Sequence, residues 1–153
     1  MKRHPWKREL LKLAADLRKK ASRTDWSSVS LTNLEQNTYW AFLMVRKLLE
    51  SNPTQAWTVP IISYLPRDDG GLHRPRELEW DLNYLCNEMV HSAFFAFNFW
   101  DDGTLRGLVF CSGRRVHLRY CIRFDVFVSI LDTVGESSVE AEIPQPIKYI
   151  TKR

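Results

Sequence analysis

Three polar residues in the middle of the chain, Asn83, Asn87 and His91, stand four positions apart. On a helix that spacing stacks them on one face, about a turn apart. His91 carries acid–base chemistry, because imidazole titrates near neutral pH and both gives and takes protons. Asn87 offers a neutral amide that orients a base or contacts a phosphate. The competing reading makes both ordinary residues near a helix C-terminus, where a His gains from the dipole and an Asn bonds backbone. Ser92 follows His91 directly and so points about 100° away on a helix, which excludes a nucleophile–base pair there. Cys86, five residues before His91, is also poorly aligned with it and reads as a buried thiol.

Other chemistry is not encoded in recognisable form. There is no Walker loop, no Gly-x-Gly-x-x-Gly and no His-Glu-x-x-His. Three cysteines without a CxxC pair and four scattered histidines make no zinc pattern. Asp68 and Asp69 lack a third ligand spaced with them and read as part of a glycine-rich turn. No cofactor or metal is expected.

The elements that must position these residues follow from periodicity. The spacing predicts a third helix from Pro75 to Ser92, with Pro75 at its first position and Glu77 and Glu79 at the positive end of its dipole. Leu78, Leu82, Leu85 and Met89 form its core stripe. A first helix is expected over about 6–21, on Leu10, Leu13, Ala14, Leu17 and Ala21. A second begins at a Thr32–Glu35 capping box and ends near Glu50, before Asn52-Pro53. Its run from Tyr39 to Val45 is apolar almost all round, which predicts the central, buried helix. Residues 52–76 read as a long loop with an extended piece at Val59 to Leu65.

After Ser92 the pattern turns to strands. Ala93 to Trp100, a turn at Asp101-Asp102-Gly103-Thr104, Leu105 to Cys111, a turn at Ser112-Gly113, and Val116 to Ile122 describe a β-meander. A fourth helix runs from Arg123 to about Val134, with Gly135 as its stop, and residues 136–153 form an extended tail. The expected fold is α+β: a small bundle of about four helices with a β-meander inserted between the third and fourth. At 153 residues it is one domain.

No 7–15-residue apolar stretch follows the basic N-terminus, so no signal peptide is read, and no apolar run approaches the roughly 20 residues of a membrane span. The odd number of cysteines reads as free thiols in a reducing compartment, which places the chain in the cytoplasm. The net charge of +4 is unevenly spread. Residues 1–23 carry nine Lys or Arg against Glu9 and Asp16, a balance of +7 that leaves −3 for the remainder. Such a helix suits a phosphate backbone or an acidic partner; the plain alternative is a solvated face. Lys12, Arg18 and Lys19 on this helix, with Arg114 and Arg115 in the later turn, are the candidate binding residues. The aromatic run Phe94 to Trp100 has the composition of a base-stacking strand but lacks the accompanying glycine-rich basic pattern, and core packing accounts for it.

The segment Leu85-Cys86-Asn87-Glu88-Met89-Val90-His91-Ser92 resembles the signature of the HEPN superfamily, helical-bundle proteins of bacterial toxin and antiviral systems. That signature is an Arg, usually followed by Asn, then three residues and a His on one helix. Asn87 and His91 match; Cys86 stands where the Arg belongs. The resemblance implies metal-independent RNA cleavage, with His91 and an Arg meeting across a homodimer. Cys86 is short and neutral and performs neither of the arginine's tasks. Arg119 and Arg123 rank first as non-motif replacements, ahead of Arg114, Arg115 and Arg46. Three readings result: an RNA-associated or regulatory component with weakened or lost ribonuclease activity; an active ribonuclease using His91, Asn87 and a non-motif Arg; and a non-enzymatic module docking its basic first helix on an acidic protein.

Overall fold

The computed structural model describes residues 4–51, 57–64, 75–112 and 118–137. Arg114 and Arg115, the Asp68-Asp69 turn and almost all of the expected tail lie outside them. In chain order the elements are α1 (Pro5–Lys20), α2 (Ser28–Glu50), β1 (Thr58–Tyr64), β2 (Arg76–Asp81), α3 (Leu82–Val90), β3 (Ser92–Phe99), β4 (Leu105–Ser112), β5 (Arg119–Arg123) and α4 (Phe124–Glu136). The strands form one antiparallel sheet in the order β2-β1-β5-β4-β3.

This is not a helical bundle carrying a meander. Two strands precede α3, and β1 pairs with β5, fusing the early hairpin and the later meander into one sheet. The expected helix from Pro75 is a strand over its first third. In β2, Leu78 and Trp80 are partly buried while Glu77, Glu79 and Asp81 are exposed, a period of two. Leu78 is four residues from Leu82, so a helical stripe could be drawn across the boundary. The true start of α3 is Asp81, whose Oδ1 accepts from the Asn83 amide at 2.8 Å.

α2 starts earlier than its capping box suggested. Ser27 Oγ accepts from the Ser30 amide at 3.1 Å, while Thr32 Oγ1 donates back to the Ser28 carbonyl at 2.9 Å, inside the helix. Nor is α2 the central helix: Trp40 is 62% exposed and Tyr39 37%. That place belongs to α4, where Val126, Phe127, Ile130, Leu131 and Val134 are all at most 1% exposed. Phe127 stacks on Phe42 of α2, ring centroids 5.4 Å apart.

Gly135 does not stop α4. It lies within the helix where α1 crosses: a Cβ there would sit 2.7 Å from Leu11 Cδ2 and 3.1 Å from the Lys7 carbonyl. Missing bulk, rather than a turn, is what this position requires. At the other glycine signal the turn is as expected. Gly103 has φ 90°, and Asp102 Oδ1 accepts from both the amide and the hydroxyl of Thr104.

The sheet has one core face. Strand register puts Val59, Ile61, Tyr120, Ile122, Leu108, Phe110 and Phe97 on the same side, and all belong to the buried core shared with the helices. The opposite face carries the row Ile62–Cys121–Val109–Ala96, which that core does not include. The architecture is therefore two layers, helices on one side of a five-stranded sheet. No described helix is long and apolar enough to cross a membrane.

Candidate functional site

His91 sits at the C-cap of α3, exposed, with its amide donating to the Asn87 carbonyl at 3.1 Å. Asn87 is half-buried one turn earlier and Asn83 is exposed at the helix start. Asn83 and Asn87 lie within the nine-residue α3, while His91 falls just outside it at the C-cap, so only part of the expected stripe is helical. Among the described residues, however, nothing bonds the His91 imidazole, and no acid or arginine orients it.

The two replacement arginines divide. The start of β3, where Ser92 pairs with Ser112, lies at the same end of the sheet as Arg119 but two strands away, about 10 Å. Arg119 Nη1 donates to the Leu118 carbonyl at 3.3 Å, and no described contact joins it to His91. Arg123 is four residues further along β5, about 13 Å, at the opposite end. It is fully engaged by Asp125, with Nε–Oδ1 3.1 Å and Nη2–Oδ2 2.7 Å. This fork holds the Asp125 carboxyl below its usual range and raises the guanidinium. Arg46 pairs with Glu50 at 3.4 Å on α2.

Position 86 explains why no arginine stands there. Cys86 is wholly buried beside Leu82, Leu85 and Met89 on the core side of α3. Burial pushes its thiol well above the usual range, with the nearby Arg46 charge acting in the opposite sense. A guanidinium at this position would have to enter the core. Cys111 and Cys121 are likewise buried free thiols. No three His, Cys, Asp or Glu side chains among the described residues are grouped to hold a metal.

The basic first helix sorts its cations. Lys7 is buried and donates to the Ser137 carbonyl at 2.8 Å. Arg18, one of the expected binding residues, is an ion-pair partner of Asp132 on α4. Lys20 pairs with Asp16 at 2.8 Å, and Arg23 lies over the Trp26 ring at 4.7 Å. Among the described residues Arg8 and Lys19 have no partner, and Lys12 has only a loose contact with Glu9, 3.8 Å between two exposed side chains. Arg8, Lys12, Ala15 and Lys19 fall at i, i+4, i+7 and i+11, one stripe opposite Leu10, Ala14 and Leu17. Arg8 was the overlooked member; its spacing from Lys12 and Lys19 was visible in the sequence. A second missed pair is Arg106 over the exposed Trp100 ring, 4.6 Å to the centroid.

Comparison with protein-family models, with curated proteins and with solved structures gives no match.

Proposed function

We propose that this protein binds RNA through the outer face of α1 and does not cleave it. The observation that carries the reading is the stripe of Arg8, Lys12 and Lys19 on a helix whose opposite face is locked into the core. Cations in a row need only a phosphate backbone to meet them. A protein partner would call for an apolar anchor in the middle of the patch, and Ala15 supplies none. Non-cleavage is supported by the exposed His91 imidazole, which has no arginine within its described contacts, and by the burial of position 86. A role in a toxin or antiviral system is carried by the Asn87–His91 resemblance alone.

Anisotropy titration of a labelled single-stranded RNA tests this. Three phosphate contacts give a slope of log K against log salt near −2, from about −0.7 per contact. Reversing Arg8, Lys12 and Lys19 to Glu weakens binding by at least about tenfold and flattens that slope. Equal binding by the reversed variant overturns the site. Cleavage by the wild type that is lost in His91→Ala overturns the non-catalytic half.

A further inference from the structure

The two edges of the sheet differ in kind. β2 presents Arg76, Glu77, Glu79 and Asp81, four charges in six residues, which guard an edge against pairing. β3, Ser-Ala-Phe-Phe-Ala-Phe-Asn-Phe, has no charge and no proline, and among the described residues it hydrogen-bonds only to β4. Its outer amides and carbonyls form an unguarded template. Phe94 beside them is 50% exposed, a large apolar ring on the edge strand.

The strand also has a built-in register. Register shifts between Ser92 and Phe94 and between Asn98 and Phe99 break the ladder at both ends. The regular stretch between them is Phe94 to Asn98, whose centre is Ala96. The helices lie on one side of the sheet, α2, α3 and α4 against it and α1 over α4, so a second copy extends the sheet with its helices on the same side only about a two-fold axis perpendicular to the sheet. Directly opposed residues then share a face, which demands that the axis pass through a residue rather than between two.

We propose that β3 pairs antiparallel with β3 of a second copy, with Ala96 on the two-fold axis. This places Phe95 opposite the partner's Phe97 on the core side, continuing an aromatic layer already partly buried. Phe94 falls opposite the partner's Asn98 on the other face. The smallest side chain of the stretch occupies the axis, where the same residue meets itself. An uncharged strand meets its own copy without like-charge repulsion, whereas β2 would set like charges near one another. A ladder of five residues lies at the small end of interfaces, so the dimer is reversible and concentration-dependent.

Sedimentation equilibrium from about 5 to 500 µM tests the proposal. The expected result is a monomer–dimer equilibrium in the wild type and a monomer throughout in Ala96→Lys, with the same circular dichroism and melting temperature. Should Ala96→Lys fail to fold, Ala96→Cys decides. Opposed residues have Cα atoms about 4.5–5.5 Å apart, within disulfide reach, so mild oxidation links two copies through this site. Gln36→Cys on α2 serves as the control and stays unlinked. A wild type that remains monomeric overturns the proposal, including the case where the chain's own later residues cover β3. A dimer that survives Ala96→Lys, or that links through Gln36→Cys and not Ala96→Cys, also overturns it. Neither result bears on RNA binding by α1.

Discussion

Lys7 near the start of α1 donates its ammonium to the carbonyl of Ser137 just past the end of α4, 130 residues later, at 2.8 Å. The donor is 4% exposed, so this cation serves the fold and not a ligand. It neutralises the negative end of the α4 dipole where the last carbonyls lack helical partners. Replacing Lys7 with Met keeps the aliphatic packing and removes the donor. The expected loss is about 1–2 kcal/mol, read as a lower urea midpoint at unchanged slope.

Gly135 and Leu11 form a coupled pair. Gly135→Ala gains helix propensity but drives a methyl into Leu11, and the clash outweighs the gain, for a net cost of about 1 kcal/mol. Leu11→Ala alone also destabilises. In the double variant the clash disappears, so the two losses sum to more than the double variant's cost. Strict additivity in a denaturation cycle would show that α1 shifts to accommodate the methyl.

Asp125 supplies a pH dependence of known sign. Its folded carboxyl titrates below the unfolded value because Arg123 bonds the ionised form. The stabilisation is therefore complete above an unfolded pKa of about 3.9 and is lost as pH falls below it towards the folded value. Asp125 is more than half exposed, so Asp125→Asn costs only about 0.5–1 kcal/mol at pH 7. The difference between variant and wild type should vanish in urea melts carried down to pH 2–3.

Arg18 and Arg8 lie ten residues apart on α1 and should separate stability from binding. Arg18→Gln breaks the ion pair with Asp132 and lowers the melting temperature, with little effect on RNA affinity beyond the loss of one distant charge. Arg8→Gln leaves the melting temperature alone and reduces the salt slope by about 0.7. The reverse assignment would move the anion-binding face to the α1–α4 seam.

The three thiols report opening on both faces of the sheet, Cys86 in the core shared with the helices and Cys111 and Cys121 on the opposite side. Cys86, Cys111 and Cys121 are all at most 4% exposed, and burial pushes the Cys86 and Cys121 thiols up. Labelling by a thiol reagent at neutral pH should be slow and should accelerate with denaturant in step with unfolding. Rapid labelling of one cysteine in native buffer would reveal a local opening.

Several local signals were legible in the sequence, although the Thr32–Glu35 capping box and the Gly135 stop misplaced two helix ends, and the non-local pairings were not legible. The Asp101–Thr104 turn and the meander strands follow from turn chemistry and alternation confined to a few residues. α1 was legible because its apolar stripe faces mainly one partner, α4. β2 was obscured because Leu78 belongs to two periods at once, two within the strand and four towards Leu82. The β1–β5 pairing joins residues nearly sixty positions apart and has no local signature. The same holds at the candidate site. Nine cations near the N-terminus look equivalent until Asp132 and the Ser137 carbonyl, both more than a hundred residues away, claim two of them. Of the Asn87–His91 pair, Asn87 lies on α3 and His91 caps its C-terminus, so the expected helix stops one residue short of the second. Cys86 reads as a buried thiol from the sequence and is one; the partners that bury it, α2 and the sheet, had no local signature.

The partnership of α1 with α4 also has a consequence for how the chain is made. α1 is the first described element to leave the ribosome and α4 the last. Until α4 emerges, Leu10, Ala14 and Leu17 lack the main surface that covers them, and the inner face of the sheet lacks its central helix. The apolar stripe of α1 therefore stays largely uncovered until α4 emerges, and the uncharged edge of β3 is open from its own emergence onward, a state in which nascent chains stick to one another. Residues 1–23 carry a balance of +7, and like charge of that size disfavours contact between neighbouring chains over this interval.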